Sequence, residues 1–324
     1  MKFTTQVEIP NSNFTIGYDT PTMIVGSCFA QNIGNKMAEW HLPISLNPCG
    51  VAFNPISVIN TFDLIINKIK IGNDALIQNG DLWCSLYHST QFSKTDRNLL
   101  LEGIEAALTS AREIFSNAKF VIITLGTAWI YRHLKSGLIV NNCHKLPDGE
   151  FSRELLSVDK IVESFQRLFS ETAFFDKQII LTVSPVRHIK DSLHGNNISK
   201  STLLLAINQL VAKSANVHYF PAYEIVLDEL RDYRFYADDL THPSTIAIEY
   251  IWEKFSDWAI TLQTRQIATE LRKIDAAMAH RPINQDSQQH ASFRKQMFEK
   301  VVYLKNKYPN INLDRQLEFF NDIF

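Results

Sequence analysis

Two short stretches carry the residue types that could do covalent chemistry. The first is Val25-Gly26-Ser27-Cys28-Phe29-Ala30. An apolar run ends, a glycine permits a tight turn, and a hydroxyl and a thiol open a segment of helical period. In parallel α/β sheets ligands bind at the carboxyl ends of strands, so a hydroxyl there is placed to meet substrate. Backbone amides of the turn and of the helix start can face a developing oxyanion. Serine also favours this position as a plain helix N-cap, and taken alone the stretch reads as a cap. Cys28 competes as nucleophile, because thiolates are intrinsically better ones and a helix N-terminus favours the thiolate. Its side chain points elsewhere than that of its neighbour, and buried inert cysteine is common. Ser27 is therefore preferred.

The second stretch is Tyr236-Ala237-Asp238-Asp239-Leu240-Thr241-His242-Pro243-Ser244. A serine hydroxyl is a poor nucleophile until a base takes its proton, and histidine is the usual base at neutral pH. A carboxylate fixes the imidazole tautomer and steadies the imidazolium. Asp239 and His242 lie three apart in a loop before a helical segment. A tight turn would aim both into one cleft, and Pro243 stiffens it. The competing reading is an aspartate capping the next helix beside a surface histidine, since Asp-x-x-His spacing is weak on its own.

The other histidines offer less. His88, His144 and His188 are too widely spaced for a metal site unless the fold gathers them, and no metal or organic cofactor is expected. His144 and His188 each follow an apolar run that reads as a strand, which suits substrate-binding roles at the mouth of a site. His88 reads as structural. Arg187 and Lys145 have the charge to hold an anionic substrate group, although an exposed charge is the default reading.

The elements that must position these residues alternate between apolar runs and segments of helical period. That alternation predicts a parallel sheet covered on both faces. Strands are expected at Met23–Val25, Leu82–His88, Phe120–Leu125, Gln178–Val183 and Val217–Phe220, with a hairpin over Ile130–Val140 turning near Gly137. Helices are expected at Asn32–Trp40, Ile56–Ile69, Leu99–Ala118, Val158–Leu168, Lys200–Ala212 and Thr245–Leu262. Beyond about residue 263 the chain is rich in Arg, Lys, Gln and Glu, has no strand-like run, and is broken by Pro282 and Pro309. It reads as a helical extension over 263–324 on a catalytic domain spanning 1–262. Its last stretch, Leu317–Phe324, is apolar enough to dock, most simply onto its own domain.

Composition removes several function classes. A formal charge of -2 leaves no basic surplus for nucleic acid or an anionic membrane. Four cysteines without Cys-x-x-Cys spacing argue against a zinc ribbon or a disulfide scaffold. The start, Met1-Lys2-Phe3-Thr4-Thr5-Gln6-Val7-Glu8, has no apolar core or small-residue cleavage site of the secretory kind. No apolar run approaches the roughly 20 residues a membrane span needs. A reducing cytoplasm is the compartment expected from this.

With those residues in view, the chain resembles the GSCFA family, a branch of the SGNH/GDSL hydrolases. The resemblance rests on Gly26-Ser27-Cys28-Phe29-Ala30, Asn47-Pro48-Cys49-Gly50-Val51-Ala52-Phe53-Asn54-Pro55, Thr124-Leu125-Gly126-Thr127-Ala128, Asn142-Cys143-His144-Lys145, Ser184-Pro185-Val186-Arg187-His188 and the Asp239–His242 stretch. It covers about residues 20 to 260. It implies a flavodoxin-like three-layer α/β/α sandwich, with the helical extension added. It implies Ser27 as nucleophile, Asp239 and His242 as its partners, and Ser27 N–H and Gly50 N–H as oxyanion donors. The third block of such enzymes carries Gly-x-Asn, whose amide is a further donor, but here it reads Gly126-Thr127-Ala128. Losing one donor typically costs about 10²–10³ in rate, so Asn54 or His144 is expected to fill the place. Asn54 before Pro55 is equally well read as a turn element.

The implied activity is ester hydrolysis through a seryl ester, on a small-molecule or glycan ester that the sequence does not identify. An acyltransferase with the same triad and a sugar or cell-envelope acceptor is the first alternative. A non-catalytic binding protein on a degenerate scaffold is the second. The triad reading demands Ser27 Oγ near a ring nitrogen of His242, roughly 2.6–3.2 Å away or somewhat longer without ligand. Nothing in the sequence fixes the oligomeric state.

Overall fold

The computed structural model describes residues 4–280 and 287–321. Met1–Phe3, Pro282 and the last three residues of the apolar 317–324 stretch lie outside them.

Five strands form the central sheet: β1 (Thr22–Gly26), β2 (Ile44–Leu46), β3 (Phe120–Leu125), β4 (Gln178–Val183) and β5 (Val217–Tyr219). All neighbours pair in parallel, in the order 2-1-3-4-5, which is flavodoxin-like. Successive residues of a strand face opposite sides, and both sides are buried. Met23, Val25, Val121 and Ile123 join one core, while Ile24, Phe120 and Ile122 join the other. That is why these strands read as continuous apolar runs rather than alternating ones.

Helices α2 (Pro55–Ile66), α3 (Arg97–Asn117), α4 (Val158–Phe169) and α5 (Ser192–Lys213) cover the first face through Val58, Phe62, Ile104, Phe165 and Leu203. On the second face lie α1 (Cys28–Glu39) and α6 (Thr245–Ala259), through Phe29, Met37, Ile251 and Phe255. The result is a three-layer α/β/α arrangement. Strand order reverses between β1 and β3, and the crevice beyond their carboxyl ends is where ligands bind in such sheets.

Beyond α6, helices α7 (Leu262–Ala279), α8 (Gln288–Lys307) and α9 (Asp314–Asn321) enclose a small core of their own, with Leu271, Ile274, Val301 and Phe320. The extension is helical, as expected. It is tied to the sheet-bearing part by Tyr18 and by His41, whose Nε2 lies 2.8 Å from Asp275 Oδ2. Among the described residues no helix is long and apolar enough to cross a membrane.

Several elements differ from the sequence expectation. Helix α1 starts at Cys28, not Asn32, because Ser27 supplies its cap. Helix α5 starts at Ser192, not Lys200, and its polar first half has no apolar period to reveal it. The Leu82–His88 strand is only Leu82–Ser85, paired with an unforeseen strand at Leu76–Asn79. The hairpin turn at Gly137 exists (φ 72°), but Trp129–His133 finds its long partner in Phe151–Leu155; the returning segment makes one bridge, Arg132 with Ile139.

Candidate active site

The turn after β1 is built around Gly26. A Cβ there would lie 2.3 Å from the carbonyl oxygen of Thr124 on β3, so no side chain fits. Its N–H donates to Asn47 Oδ1 at 2.8 Å, and its carbonyl accepts from Ala52 N–H at 2.9 Å. Asn47, from the loop after β2, is 4% exposed, and its amide nitrogen donates to Gln31 Oε1. Sequence reasoning gave Asn47 no role. Its backbone is left-handed (φ 46°), which asparagine tolerates, and the Asn47-Pro48 pair, a turn signal, is what the sequence carries of it.

Ser27 therefore stands at the carboxyl end of β1, on the switch point. Its Oγ accepts from Phe29 N–H at 3.3 Å, an ordinary N-cap bond, and the residue is 2% exposed. Cys28 is half-buried, and burial raises its thiol pKa, which disfavours the thiolate.

The 236–244 loop is a compact turn. Tyr236 bridges to Pro243, Ala237 N–H donates to His242 O, and Leu240 takes the left-handed conformation (φ 56°). Asp239 Oδ1 accepts from both Thr241 N–H and His242 N–H at 2.9 Å. Its Oδ2 lies 2.6 Å from His242 Nδ1. Those two backbone donors, then the imidazole, hold the Asp239 carboxyl far below the usual carboxylate range. The cap of α6 is Ser244, so Asp239 is free of the helix-capping role that competed for it. No hydrogen bond joins Ser27 to His242 among the described residues. Their loops meet through a third one, where Arg187 N–H donates to Thr241 O at 3.1 Å.

The expected oxyanion donors are otherwise engaged. Ser27 N–H donates to Thr124 O at 3.2 Å, because β1 and β3 remain paired past Gly26. Gly50 N–H closes a turn onto Asn47 O at 2.7 Å. Asn54 caps α2: its Oδ1 accepts from Ser57 N–H and its Nδ2 donates to Ser57 Oγ, both at 2.9 Å. The turn-element reading of Asn54 thus replaces the donor reading. Two amides beside these, those of Cys28 and Val51, make no backbone hydrogen bond among the described residues.

After β3, Gly126 and Thr127 N–H both donate to Phe53 O, and Ala128 is fully buried, with its N–H on Ser199 Oγ at 2.8 Å. Beneath lies Lys200 of α5, 1% exposed, whose Nζ donates to Gly126 O and Ser184 O at 2.6 Å each. Asn196 of the same helix accepts His188 N–H at 3.0 Å. The polar first half of α5 is thus the platform that fixes the turns after β3 and β4, and the sequence reading did not find it.

Burial pushes the Lys200 ammonium down to about 7. A neutral amine keeps two N–H donors for the two carbonyls. An unfolded lysine titrates near 10.4, so above pH 7 the unfolded chain holds a proton the folded one has lost, and stability rises with pH. Urea unfolding should show the wild type gaining at most about 2 kcal/mol from this group between pH 7 and 8.5. Lys200→Met should lack that gain and be less stable by at least about 1–3 kcal/mol, with two buried carbonyls unpaired. Equal pH slopes in the two proteins would refute the assignment.

His144 is not at the mouth of the site. It is 3% exposed, with Nε2 2.8 Å from Ser85 O, beside fully buried His88, whose Nδ1 lies 2.8 Å from Ser85 Oγ. Burial, then His144, pushes His88 down to about 3. The pair fastens the 142–145 loop to the hairpin. Arg187 stacks its guanidinium over Tyr236 at 4.1 Å and Tyr233 at 5.1 Å, and makes no ion pair among the described residues. It borders a hollow of about 190 Å³, lined also by Pro185, Asn196, Tyr223 and Tyr236. Lys145 is exposed. No group of three or more metal-ligating side chains occurs among the described residues.

Fold and site together define a doubly wound α/β protein with a serine at the switch point and an Asp–His pair on the same edge. The chain belongs to the GSCFA family, whose model matches residues 21–255, and the model for the C-terminal domain of GSCFA domain proteins matches residues 271–323. No curated protein and no solved structure matches it.

Proposed function

We propose that this GSCFA protein is a serine esterase of the SGNH/GDSL type, acting through an acyl-enzyme on Ser27. The observation that carries the reading is the Asp239–His242 pair. A carboxylate fully satisfied by two backbone amides and one imidazole nitrogen holds that ring in the tautomer whose Nε2 accepts a proton. Ser27 Oγ would attack the ester carbonyl while His242 takes its proton. His242⁺ then protonates the departing alkoxide, and water repeats the sequence in reverse to release the acid. The same acyl-enzyme serves transfer when a sugar or other hydroxyl replaces water.

A second reading has specific support. Ser27 is 2% exposed, unbonded to His242, and flanked by oxyanion amides that are already engaged. Those features fit a binding protein on a degenerate scaffold.

Turnover separates the two. Acyl-enzyme chemistry predicts a burst of p-nitrophenol, stoichiometric with protein, from a panel of p-nitrophenyl esters, and a mass increase equal to the acyl group. An added alcohol that raises the burst-following rate while capturing the acyl group identifies transfer. Absence of both burst and adduct across the panel favours the scaffold.

A further inference from the structure

An acyl-transfer site needs donors for the oxyanion, and here the expected ones are spent. Ser27 N–H and Gly50 N–H go to backbone carbonyls, Asn54 is turned onto Ser57, and Ala128 is buried where the resembled pattern has a side-chain amide. His188 Nε2, by contrast, is buried with no hydrogen-bond partner among the described residues.

Its position is specific. A Cβ built on Gly126 would lie 3.3 Å from His188 Nε2 and 3.4 Å from Ser27 Cβ. The imidazole and the nucleophile thus border one point, together with the Phe53 carbonyl oxygen at 3.2 Å, whose own acceptor capacity is taken by Gly126 and Thr127 N–H; residue 126 has no side chain to fill it. The ring is held in place: His188 N–H is anchored on Asn196, and Phe53 meets the ring edge-on at 6.1 Å.

We propose that His188 is the missing oxyanion donor, its Nε2–H reaching from the loop after β4 into the place that an asparagine after β3 holds in the resembled enzymes. The proposal rests on the serine-esterase reading. As Ser27 Oγ bonds to the acyl carbon and His242 takes the hydroxyl proton, the carbonyl π pair moves onto oxygen. His188 Nε2–H donates to that oxygen and keeps its own proton. The hydrogen bond relaxes when the carbonyl re-forms and the alkoxide leaves with the proton from His242.

Two features make His188 a donor and not the base. Among the described residues no carboxylate bonds to its ring, whereas His242 has Asp239 at 2.6 Å. Burial, aided by nearby Lys200, also holds its pKa down to about 4. At neutral pH the ring is uncharged, has an N–H to give, and has little basicity with which to take the serine proton.

The test compares wild type, His188→Ala and His188→Asn on a p-nitrophenyl ester, with a fluorophosphonate and with an alkyl boronic acid that forms a tetrahedral adduct on serine. The thermal midpoint of each variant is measured alongside. His188→Ala should lower kcat by about 10²–10³ with KM within about threefold, and weaken boronic-acid inhibition by a similar factor. A merely structural residue would not move those two together at constant KM. His188→Asn, which restores a donor, should recover part of both. Ser27 should still be labelled by the fluorophosphonate in His188→Ala, more slowly. Unchanged kcat and boronic-acid affinity in a folded His188→Ala, with an active wild type, overturns the donor role alone. Complete loss of labelling in folded His188→Ala, matching His242→Ala, makes His188 the base and also overturns it. A wild type that neither turns over nor labels overturns the esterase reading and this proposal together.

Discussion

Ser27→Ala should lower turnover of an activated ester by about 10⁵–10⁶-fold, the scale on which removing a catalytic serine acts. Burial raises the pKa of the adjacent Cys28 thiol, which disfavours the thiolate that would have to replace the serine. The change has a structural cost, because Phe29 N–H loses its acceptor. An N-cap serine replaced by alanine typically loses about 1 kcal/mol. A folded protein of slightly lower melting temperature and no measurable turnover is therefore the expected pair of results. Ser27→Ala with near wild-type turnover would place the chemistry elsewhere.

Asp239→Asn should lower kcat by about 10⁴-fold while barely altering the fold. An asparagine Oδ1 can still accept from Thr241 N–H and His242 N–H, the two bonds that shape the turn. Its Nδ2–H₂ would then face His242 Nδ1, 2.6 Å away in the wild type from a carboxylate oxygen. Two donors cannot share that contact, so the imidazole must present Nδ1 as acceptor and move its proton to Nε2. That is the tautomer unable to take a proton from Ser27. Steady-state kinetics with thermal unfolding on the same preparation checks both halves. If Asp239→Asn keeps its rate, the pair is a loop fastening and not a catalytic one.

Much of this was readable in the sequence. Met23–Val25, Phe120–Leu125, Gln178–Val183 and Val217–Phe220 all lie in or overlap strands, because strands buried on both faces leave unbroken apolar runs. The edge strand Ile44–Leu46 was missed: it is three half-buried residues between Pro43 and Asn47, too short for any period. The Asp239–His242 pair was visible because one turn brings residues three apart together. Gly50 N–H and Asn54, expected as oxyanion donors, have other partners because glycine and asparagine suit turns and caps as well as they suit oxyanion holes. Gly50 N–H closes a local turn onto Asn47 O, whereas Ser27 N–H meets Thr124 O from a strand nearly a hundred residues on, a partner that sequence spacing does not give. The polar start of α5, residues 192–199 with Asn196 and Ser199, is invisible to a search for apolar periodicity, which finds the helix only from Lys200 onward. His188 was singled out as a substrate contact. Its approach to Ser27 across Gly126 depends on the side-by-side placement of β1, β3 and β4, which spacing along the chain does not encode.

The claim that Ser27 is an activated nucleophile is tested most directly by exposing the intact protein to a fluorophosphonate and mapping the adduct by peptide mass spectrometry. One phosphonyl group per chain on Ser27, lost in Ser27→Ala and His242→Ala and retained in Cys28→Ala, is the predicted result. An adduct that survives Ser27→Ala, or a wild type left unmodified, would contradict it.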